Sequence, residues 1–436
     1  MLVPLQCPAQ NYAWGKPGLE STVAQLAKAA GAEVDESKPY AELWVGTHPN
    51  GPAKIEEQTL AEYLKEHPET VSADKAQQEE CAKNGLPYLF KILSVNKALS
   101  IQAHPDKKLA EQLHADRPSV YKDPNHKPEM ACAVTDFEAL CGFLPLSETV
   151  GNIRETPELQ ELLEASEEAK ALLSDEAKLG SVEEDQQKAS LKILFSSLMN
   201  SDADLVAKQT EALKKRLEGE SDLQMPNKLA LRLVNDYPGD VGVFCAYILC
   251  YRVLAPGQAV FLGANEPHAY LLGDCAEIMA CSDNVVRAGL TPKLRDTPTL
   301  CSMLTYRQPS HEGAEFHPGN MLEGRKSGEH SEIYAPPDPA VTEFQMERVV
   351  LKPADGSYSL EPSSYGSVVL VLEGEGSAKG GATSASDAES DAATKKAKHE
   401  TDLKRGDIFF QPCGSSLSVE AKSDLIVFRA TLKGAF

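Results

Sequence analysis

Several features that define other protein classes are missing from this sequence of 436 residues. None of its ten cysteines forms a CxxC pair, which disfavours a structural zinc ribbon. No apolar run reaches the length of about 18 residues that a transmembrane helix needs, so we expect no membrane span. The first residues lack the basic and apolar segments of a secretory signal, so we expect none there.

Positive charge is also in short supply. Lysine and arginine total 43 against 65 aspartates and glutamates, which gives a formal net charge of −22. This balance argues against binding to nucleic acid or to an anionic membrane surface. If the ligand is an anion, a local group of basic side chains must overcome the field of the whole protein.

The few cysteines lie mostly within apolar segments. Cys245 and Cys250 are examples, because both stand in an apolar run. Buried reduced thiols are typical of cytosolic proteins, whereas disulfides are typical of secreted ones. The sequence therefore predicts a cytoplasmic protein with free thiols.

Two apolar segments near the middle of the first third predict buried strands. Residues 88–95 form a continuous apolar run after Pro87, and residues 98–104 follow as a second run that Pro105 ends. Pro and Gly also punctuate strand-like runs over residues 252–308. We expect these parts to build one strand-rich domain.

A different composition separates those parts. Over residues 147–223 Glu, Lys, Leu and Ala dominate, and apolar residues recur at helical spacing, as in Leu191, Leu194, Phe195 and Leu198. Thr156-Pro157 is a suitable helix start. The pattern predicts a helical subdomain inserted between strand-rich segments.

The carboxy-terminal part returns to strands. Residues 368–372 and 407–412 read as strands of a small all-β domain. Between them, residues 374–402 contain no Val, Ile, Leu, Met, Phe, Trp or Tyr, so this segment is predicted to be a disordered loop. The predicted domains are 1–146 and 241–335 for a divided first domain, 147–240 for the helical subdomain, and 336–436 for the last domain.

A possible metal site comes from three distant segments. Gln102 and His104 would share one face of a strand, because strand side chains alternate. Glu129 and His268 add a carboxylate and a second imidazole. This mixed nitrogen and oxygen set suits Zn²⁺ or another borderline divalent ion with one open position. A lone histidine is more often structural, as we expect for His48, His67, His114, His311, His317, His330 and His399.

Longer motifs surround these residues. The strings YAELWVGTHPNGP (40–52), LFKILSVNKALSIQAHPDK (89–107), DPNHKPEMA (123–131) and FLGANEPHAYLLGDCAEIMACSDNVVRAGLTPK (261–293) closely resemble the type I phosphomannose isomerase family. The resemblance extends over essentially the whole chain. It implies a mainly β fold with an α-helical insertion: a cupin (jelly-roll) catalytic domain, the helical subdomain, and a second, jelly-roll-like domain at the carboxy terminus.

The resemblance also implies an activity and assigns residues to it. The family interconverts mannose 6-phosphate and fructose 6-phosphate at the entry to GDP-mannose synthesis and protein glycosylation, with one Zn²⁺ per chain. The family's zinc ligands fall on Gln102, His104, Glu129 and His268, and its active-site arginine falls on Arg287. The further pocket residues that it implies are Lys91, Ser100, His126, Lys127, Glu277 and Lys293.

The sequence leaves some roles open. Glu277, Lys293 and His126 are candidates for the base that moves the proton, although Glu277 could instead pair with Arg287 and Lys293 could be a surface residue. Arg287 can bind the phosphate through two hydrogen bonds, and Lys91 or Lys127 can add charge, but the sequence does not decide which cation contacts the phosphate and which contacts C1 or C2. Ser100 and Lys127 are expected to contact substrate. The partner is a small sugar phosphate, and a monomer is expected.

Two other functions use the same residues. One is a cupin oxygenase with Fe²⁺, although such sites usually consist of histidines or of two histidines and one carboxylate, without a glutamine. The other is a protein that binds a sugar phosphate without turnover. The metal set together with the cationic pocket favours the isomerase over both.

Overall fold

The computed structural model describes residues 2–309, 317–382 and 399–436. The described part is rich in strands and contains one block of helices, which confirms the predicted fold class. None of the described helices is long and apolar enough to cross a membrane.

Short and long strands alternate in the first third of the chain. In order, they are β1 Val3–Pro4, β2 Ala9–Gln10, β3 Lys16–Pro17, β4 Pro39–Tyr40, β5 Glu42–Val45, β6 Lys54–Ile55, β7 Gln58–Thr59, β8 Tyr88–Val95, β9 Ile101–Ala103, β10 Glu129–Ala133 and β11 Phe137–Phe143.

The remaining strands follow the helical block. They are β12 Leu249–Leu254, β13 Ala259–Leu262, β14 His268–Ala280, β15 Val286–Gly289, β16 Arg325–Lys326, β17 Ser331–Tyr334, β18 Gln345–Leu351, β19 Ser357–Leu360, β20 Ser367–Glu373, β21 Glu375–Ala382, β22 His399–Lys404, β23 Ile408–Gln411, β24 Ser415–Ala421 and β25 Leu425–Thr431.

Four helices precede the helical block, seven form it, and one follows it in the described chain. They are α1 Thr22–Ala29, α2 Leu60–Glu66, α3 Lys75–Asn84, α4 Lys107–Asp116, α5 Leu146–Glu155, α6 Pro157–Glu164, α7 Glu167–Leu173, α8 Glu176–Leu179, α9 Glu184–Met199, α10 Ala203–Glu218, α11 Asn227–Asp236 and α12 Thr297–Met303.

A ten-stranded sheet carries the first domain. Its main path runs β12-β11-β14-β8-β5-β2, and β9, β10, β13 and β15 join beside β14. Leu93, Phe137, Val260 and Cys275 share a buried cluster on this sheet. The sheet is antiparallel, and Lys91 and Glu277 lie two residues from Leu93 and Cys275, so these polar side chains share the sheet face of the buried cluster.

Two further sheets make up the carboxy-terminal domain. One has seven strands in the order β1-β23-β20-β25-β18-β17-β16, and the other has four in the order β19-β24-β21-β22. Val369 and Val427 of the first sheet and Leu417 and Val419 of the second share one core cluster. The two sheets therefore pack face to face, as in a jelly roll.

The helical block buries its apolar stripe as the sequence predicts. Leu191, Leu194, Phe195 and Leu198 on α9 are all fully buried. Helix α6 begins at Pro157, with Thr156 at the N-cap. The core of this block also includes Ile101, Ala269 and Val286 of the first sheet, so the helices cover the strands β9, β14 and β15.

Three predictions about segments need correction. The predicted strand 98–104 is shorter, because only Ile101–Ala103 is paired and His104 follows the strand. The predicted boundary at residue 336 comes too late, because β16 and β17 already belong to the seven-stranded sheet. Polar residues and Pro/Gly between residues 309 and 340 conceal these two short strands.

The predicted disordered loop at 374–402 is wrong at both of its ends. β21 pairs with both β22 and β24, which places residues 375–382 and 399–402 in a sheet. Strand pairing needs backbone groups rather than large apolar side chains, and the small Ala378 is itself buried. The middle of the insert, residues 383–398, lies outside the described residues.

Strand β14 bends at Gly273, where its neighbours change from β11 and β9 to β10 and β8. Gly273 has φ of +107°, and a Cβ there would lie 2.2 Å from the carbonyl oxygen of Asp136. The bend allows one strand to carry both His268 and Glu277. The glycine is required because any side chain would combine backbone strain with an overlap.

Gly273→Ala should therefore lower the free energy of unfolding by about 3–5 kcal/mol, since strain and overpacking add. Gly31→Ala is the matched control, because Gly31 also has positive φ but a Cβ there would meet no atom within 4 Å. The control should lose only about 1–2 kcal/mol. Equal losses in urea unfolding of the two variants would contradict this explanation of the bend.

Candidate metal centre

Three neighbouring strands place predicted site residues side by side. In the registers of β15, β9 and β14, Gln102 lies opposite Arg287 on one side and opposite His268 on the other. Directly opposed residues of antiparallel strands point to the same sheet face. Strand pairing therefore aligns a cation, an amide and an imidazole in one row.

His104, Glu129 and His268 form a compact cluster beside this row. Glu129 Oε2 lies 3.5 Å from His104 Nε2 and 3.3 Å from His268 Nε2. One ligand atom from each of the three side chains lies within 4.8 Å of the others. All three residues are at most 2% exposed, which excludes an ordinary solvated surface cluster.

The orientation of the two rings fits a metal ion. His104 Nδ1 donates to the carbonyl oxygen of Asn284 at 2.6 Å, and His268 Nδ1 donates to that of Glu266 at 3.0 Å. Both Nε2 atoms are buried and have no hydrogen-bond partner in the described chain. Buried polar atoms are rarely left unpaired, and metal-binding imidazoles usually donate through their other nitrogen. A divalent cation satisfies both lone pairs at once.

The protonation states of His104 and Glu129 also suit the binding of a metal ion. Burial, more than any other effect, lowers the pKa of His104 to about 4, so the ring is neutral at pH 7. Burial opposes the charge of Glu129, but Lys127 and His104 outweigh burial and hold the pKa of that carboxyl well below its usual range. A neutral imidazole and an ionised carboxylate are the forms that bind a metal.

Gln102 is the fourth ligand that the sequence predicts. It is half-buried, and Ser100 Oγ donates a hydrogen bond of 3.4 Å to its side-chain oxygen. Its side chain shares a sheet face with His268. Ser100 thus donates to the oxygen that Gln102 would offer to a metal ion. Both residues lie on the side of the sheet that carries the cluster.

A second group of charges surrounds Lys91 on β8. Its ammonium nitrogen lies 3.1 Å from Glu277 on β14 and 3.3 Å from Glu42 on β5. Glu277 is opposite Lys91 in the register of β14 and β8. Glu277 therefore pairs with Lys91, and no ion pair with Arg287 occurs among the described residues.

Burial and charge act in opposite directions on this group. Burial disfavours the ammonium of Lys91, but Glu42 and Glu277 outweigh it and raise the pKa of Lys91. Burial raises the pKa of Glu277, and Lys91 only partly offsets this effect. One lysine shared by two carboxylates thus leaves Glu277 prone to take up a proton.

Two more cations lie close to the cluster. Lys127 Nζ is 3.0 Å from Glu129 Oε1. Arg287 is half-buried and has no salt bridge in the part of the chain that the structure describes, and burial lowers its pKa. A half-buried guanidinium without a carboxylate partner is suited to bind an anionic ligand.

The other two candidates for the base lie in different surroundings. His126 Nε2 is 2.5 Å from Glu343 Oε1, so its described contact is with a residue of the carboxy-terminal part. Lys293 is exposed in the loop after β15, and its backbone N–H donates to Thr291. Neither residue contacts the cluster in the described chain.

Sequence reasoning missed three residues that act on this site. Glu42 shares Lys91, Asn284 holds the ring of His104, and Glu343 holds His126. The position of Glu42 within the otherwise apolar run of β5 was a signal for the first, because a charge among buried strand residues needs a partner. A cavity of about 730 Å³ adjoins Glu343, but no residue of the metal cluster lines it.

The comparisons with known proteins agree with this geometry. The family model described as phosphomannose isomerase type I, catalytic domain, matches residues 2–146, and the one described as its helical insertion domain matches residues 163–249. Mannose-6-phosphate isomerase 1 of Arabidopsis thaliana is 41% identical over 99% of this chain and 94% of its own length. Mannose-6-phosphate isomerase of Mus musculus is 40% identical over 98% and 97%.

Solved structures show the same architecture. A crystal structure of mannose 6-phosphate isomerase bound with zinc and yttrium aligns with a TM-score of 0.77 at 27% identity, over 99% of each chain. The apo form from Salmonella typhimurium aligns with a TM-score of 0.76, also at 27% identity and over 99% of each chain.

The fold and the site together define a class. Strands of a cupin-type sheet bring two imidazoles and a carboxylate around one position, and a helical insertion covers the neighbouring strands. These are the features of a cupin metalloprotein. With matches that extend over nearly its whole length, the chain belongs to the type I phosphomannose isomerase family.

Lys91→Met tests the shared lysine. The variant leaves Glu42 and Glu277 buried without their cation, which should cost about 3–5 kcal/mol of unfolding free energy at pH 8. The pKa of Glu277 is already raised and should rise further, so protonation at pH 5 should relieve part of the loss. Urea unfolding of parent and variant at both pH values measures the difference.

The control for this experiment is Lys208→Met, which removes an exposed pair with Glu161. Its stability should change by no more than about 1 kcal/mol at either pH. A loss in Lys91→Met that is equally large at pH 5 and pH 8 would show that the buried carboxylates are not its cause.

Proposed function

We propose that this protein is a mannose-6-phosphate isomerase, which interconverts D-mannose 6-phosphate and D-fructose 6-phosphate. The observation that carries the proposal is the buried cluster of His104, Glu129 and His268, in which two imidazole nitrogens without a hydrogen-bond partner among the described residues face a carboxylate. Arg287, which forms no ion pair in the described chain, lies in the neighbouring strand position opposite Gln102. The full-length similarity to proteins of that name supports it.

One Zn²⁺ per chain is the proposed cofactor, held by Gln102, His104, Glu129 and His268. When bound, it supplies Lewis acidity toward the oxygens at C1 and C2 of the open-chain sugar. Three neutral ligands and one carboxylate leave a local charge of about +1, which favours negative oxygen. The zinc-bound relative supports this choice of ion.

Arg287 is the proposed ligand of the anionic substrate. Lys91 is saturated by two carboxylates and Lys127 by Glu129, so neither has a charge to spare, whereas Arg287 has no such partner in the described chain. A guanidinium can bind a phosphate or an oxyanion through two parallel hydrogen bonds. Binding the substrate at a point remote from the reacting carbons also orients it for reaction. Ser100 and Lys127 would line the same pocket.

Glu277 is the proposed proton shuttle between C2 and C1, through an enediolate. Its buried carboxyl has a raised pKa, which suits a group that accepts and returns a proton near neutral pH. His126 is engaged by Glu343 and Lys293 is exposed, which makes both weaker candidates. Lys91 positions the Glu277 carboxylate through its 3.1 Å ion pair.

The cellular role follows from the reaction. Mannose 6-phosphate formed by this enzyme would supply GDP-mannose synthesis and thereby protein glycosylation. We further propose a cytoplasmic monomer. All ten cysteines are free thiols in the structure, which supports a reducing compartment.

A second candidate uses the same three ligands. Two histidines and one carboxylate also form the site of non-haem Fe²⁺ oxygenases. Gln102 beside His268 and the cations around the cluster favour the isomerase. Oxygen consumption by the iron-loaded protein, with sugar phosphates present, would be the sign of the oxygenase.

Metal removal tests the proposal directly. Conversion of mannose 6-phosphate to fructose 6-phosphate, followed by a coupled assay, should fall at least about 100-fold after dialysis against a chelator, because the charge that stabilises the transition state is lost. Zn²⁺ should restore it. Full activity in protein shown by metal analysis to contain less than about 1% metal would overturn the proposed role of the ion.

Two substitutions should separate metal binding from substrate binding. Gln102→Ala should lower zinc affinity about 10-fold or more, since one ligand is removed. Arg287→Ala should keep its zinc and lose at least about 100-fold in kcat/KM, because a charged contact to the substrate is gone. Metal content after gel filtration and steady-state kinetics measure both.

Arg325→Ala is the control for the arginine. Arg325 is exposed on β16, at the edge of the seven-stranded sheet and not in the sheet that carries the cluster, so the kcat/KM of this variant should stay within about twofold of the parent. Loss of zinc from Arg287→Ala would contradict the proposed division of roles.

A further inference from the structure

Two loops meet behind the ring of His104. One contains Asp123 and Asn125 and leads to Glu129, and the other contains Ser282, Asp283 and Asn284 and leads to β15. The two loops are about 160 residues apart in the sequence, and their contacting residues are not part of any β-strand. Each loop continues into a strand that carries a site residue.

The side chain of Asp123 holds both loops. Its carboxylate accepts the backbone N–H of Asp283 at 2.7 Å, the backbone N–H of Asn125 at 2.9 Å and the hydroxyl of Ser282 at 2.8 Å. Ser282 Oγ in turn accepts the backbone N–H of Asn284 at 3.1 Å. One carboxylate thus fixes the path of the backbone up to Asn284.

Asn284 completes the connection in the opposite direction. Its side-chain amide donates to the carbonyl oxygens of Asp123 at 2.6 Å and Asn125 at 2.9 Å. Asn284 is 1% exposed, and the atoms that surround this amide nitrogen are hydrogen-bond acceptors. An amide fits there, whereas a carboxylate would face oxygen atoms of its own sign.

The backbone carbonyl of Asn284 is the acceptor for His104 Nδ1. Its position determines which way the ring points and keeps the lone pair on Nε2, the atom that faces Glu129. Partners of this kind change metal affinity by roughly 10- to 100-fold when they are removed. Asp123 acts one step further out, through the loop that carries this carbonyl.

We propose that Asp123 and Asn284 together form a positioning device that sets the metal affinity of the cluster by fixing the carbonyl oxygen that holds His104. Neither residue touches the metal or the substrate in this account. The inference rests on the proposed metal site but not on the reaction, so it is tested by binding of Zn²⁺ alone.

The test is the dissociation constant for Zn²⁺, measured by competition with a chromophoric chelator at pH 7. Asp123→Ala should bind Zn²⁺ about 10-fold or more weakly, because the loops lose the hydrogen bonds that this carboxylate accepts and the carbonyl is no longer held in place. Asn284→Ala keeps its own carbonyl but loses the amide, and should weaken binding similarly.

The double variant shows whether the two residues act by one route. If both residues work through the same carbonyl, the dissociation constant of the double variant for Zn²⁺ should be close to that of the single variant that binds less tightly. If they act separately, the fold-increases of the two single variants should multiply. Fully multiplicative losses would show that the residues act separately and would overturn the shared device.

Asp202→Ala is the matched control. Asp202 also accepts two backbone N–H groups, at the start of α10, but it lies in the helical block away from the cluster. This variant should lose stability while its zinc affinity stays within about twofold of the parent. A drop in zinc affinity as large as that of Asp123→Ala would mean that general destabilisation is the cause.

Asp123→Asn covers the case in which the alanine variant fails to fold. It has the same shape and keeps one acceptor oxygen, so it should bind Zn²⁺ with a loss between those of the parent and the alanine variant. Unchanged affinity in a folded variant of Asp123 would overturn the inference. A parent protein that binds no Zn²⁺ would instead overturn the proposed function.

Discussion

The structure depends on two buried imidazoles whose metal-facing nitrogens have no partner within the described protein. Each ring donates a hydrogen bond from its other nitrogen to a backbone carbonyl, and the carboxylate of Glu129 lies between the two rings. Left alone, such an arrangement is unfavourable, because polar atoms have been taken out of water without compensation. A divalent cation removes this cost, so folding of the sheet and binding of the ion stabilise each other.

The placement of charge follows from the same burial. The chain as a whole carries −22 and would repel a sugar phosphate at long range. Near the cluster, however, Lys91 and Lys127 form ion pairs with carboxylates, whereas Arg287 forms none with the residues that the structure describes. In the described chain the two lysines therefore hold Glu129 and Glu277 in position, and Arg287 keeps the free guanidinium that its proposed role as anion ligand needs. A net negative surface and a local anion site are compatible. Solvent screens the repulsion by distant surface charges far more than it screens the attraction between an anion and a half-buried cation beside it.

Much of this could be predicted from the sequence, and the reason for each failure is physical. Periodicity located the buried face of α9, and the segments around Gln102, Glu129 and His268 carried the resemblance to the family. The ends of the insert were missed because strands built from small residues leave no apolar pattern. The contacts of Asp123 with Asn284 and of His126 with Glu343 were missed because they join loops that only the complete topology brings together.

X-ray diffraction at the zinc absorption edge, from crystals of the zinc-loaded protein, shows which atoms hold the ion. We expect one anomalous peak per chain, about 2.0–2.2 Å from the Nε2 atoms of both His104 and His268, a carboxylate oxygen of Glu129 and the amide oxygen of Gln102. A peak elsewhere in the chain, or a zinc ion with Gln102 turned away from it, would contradict the account.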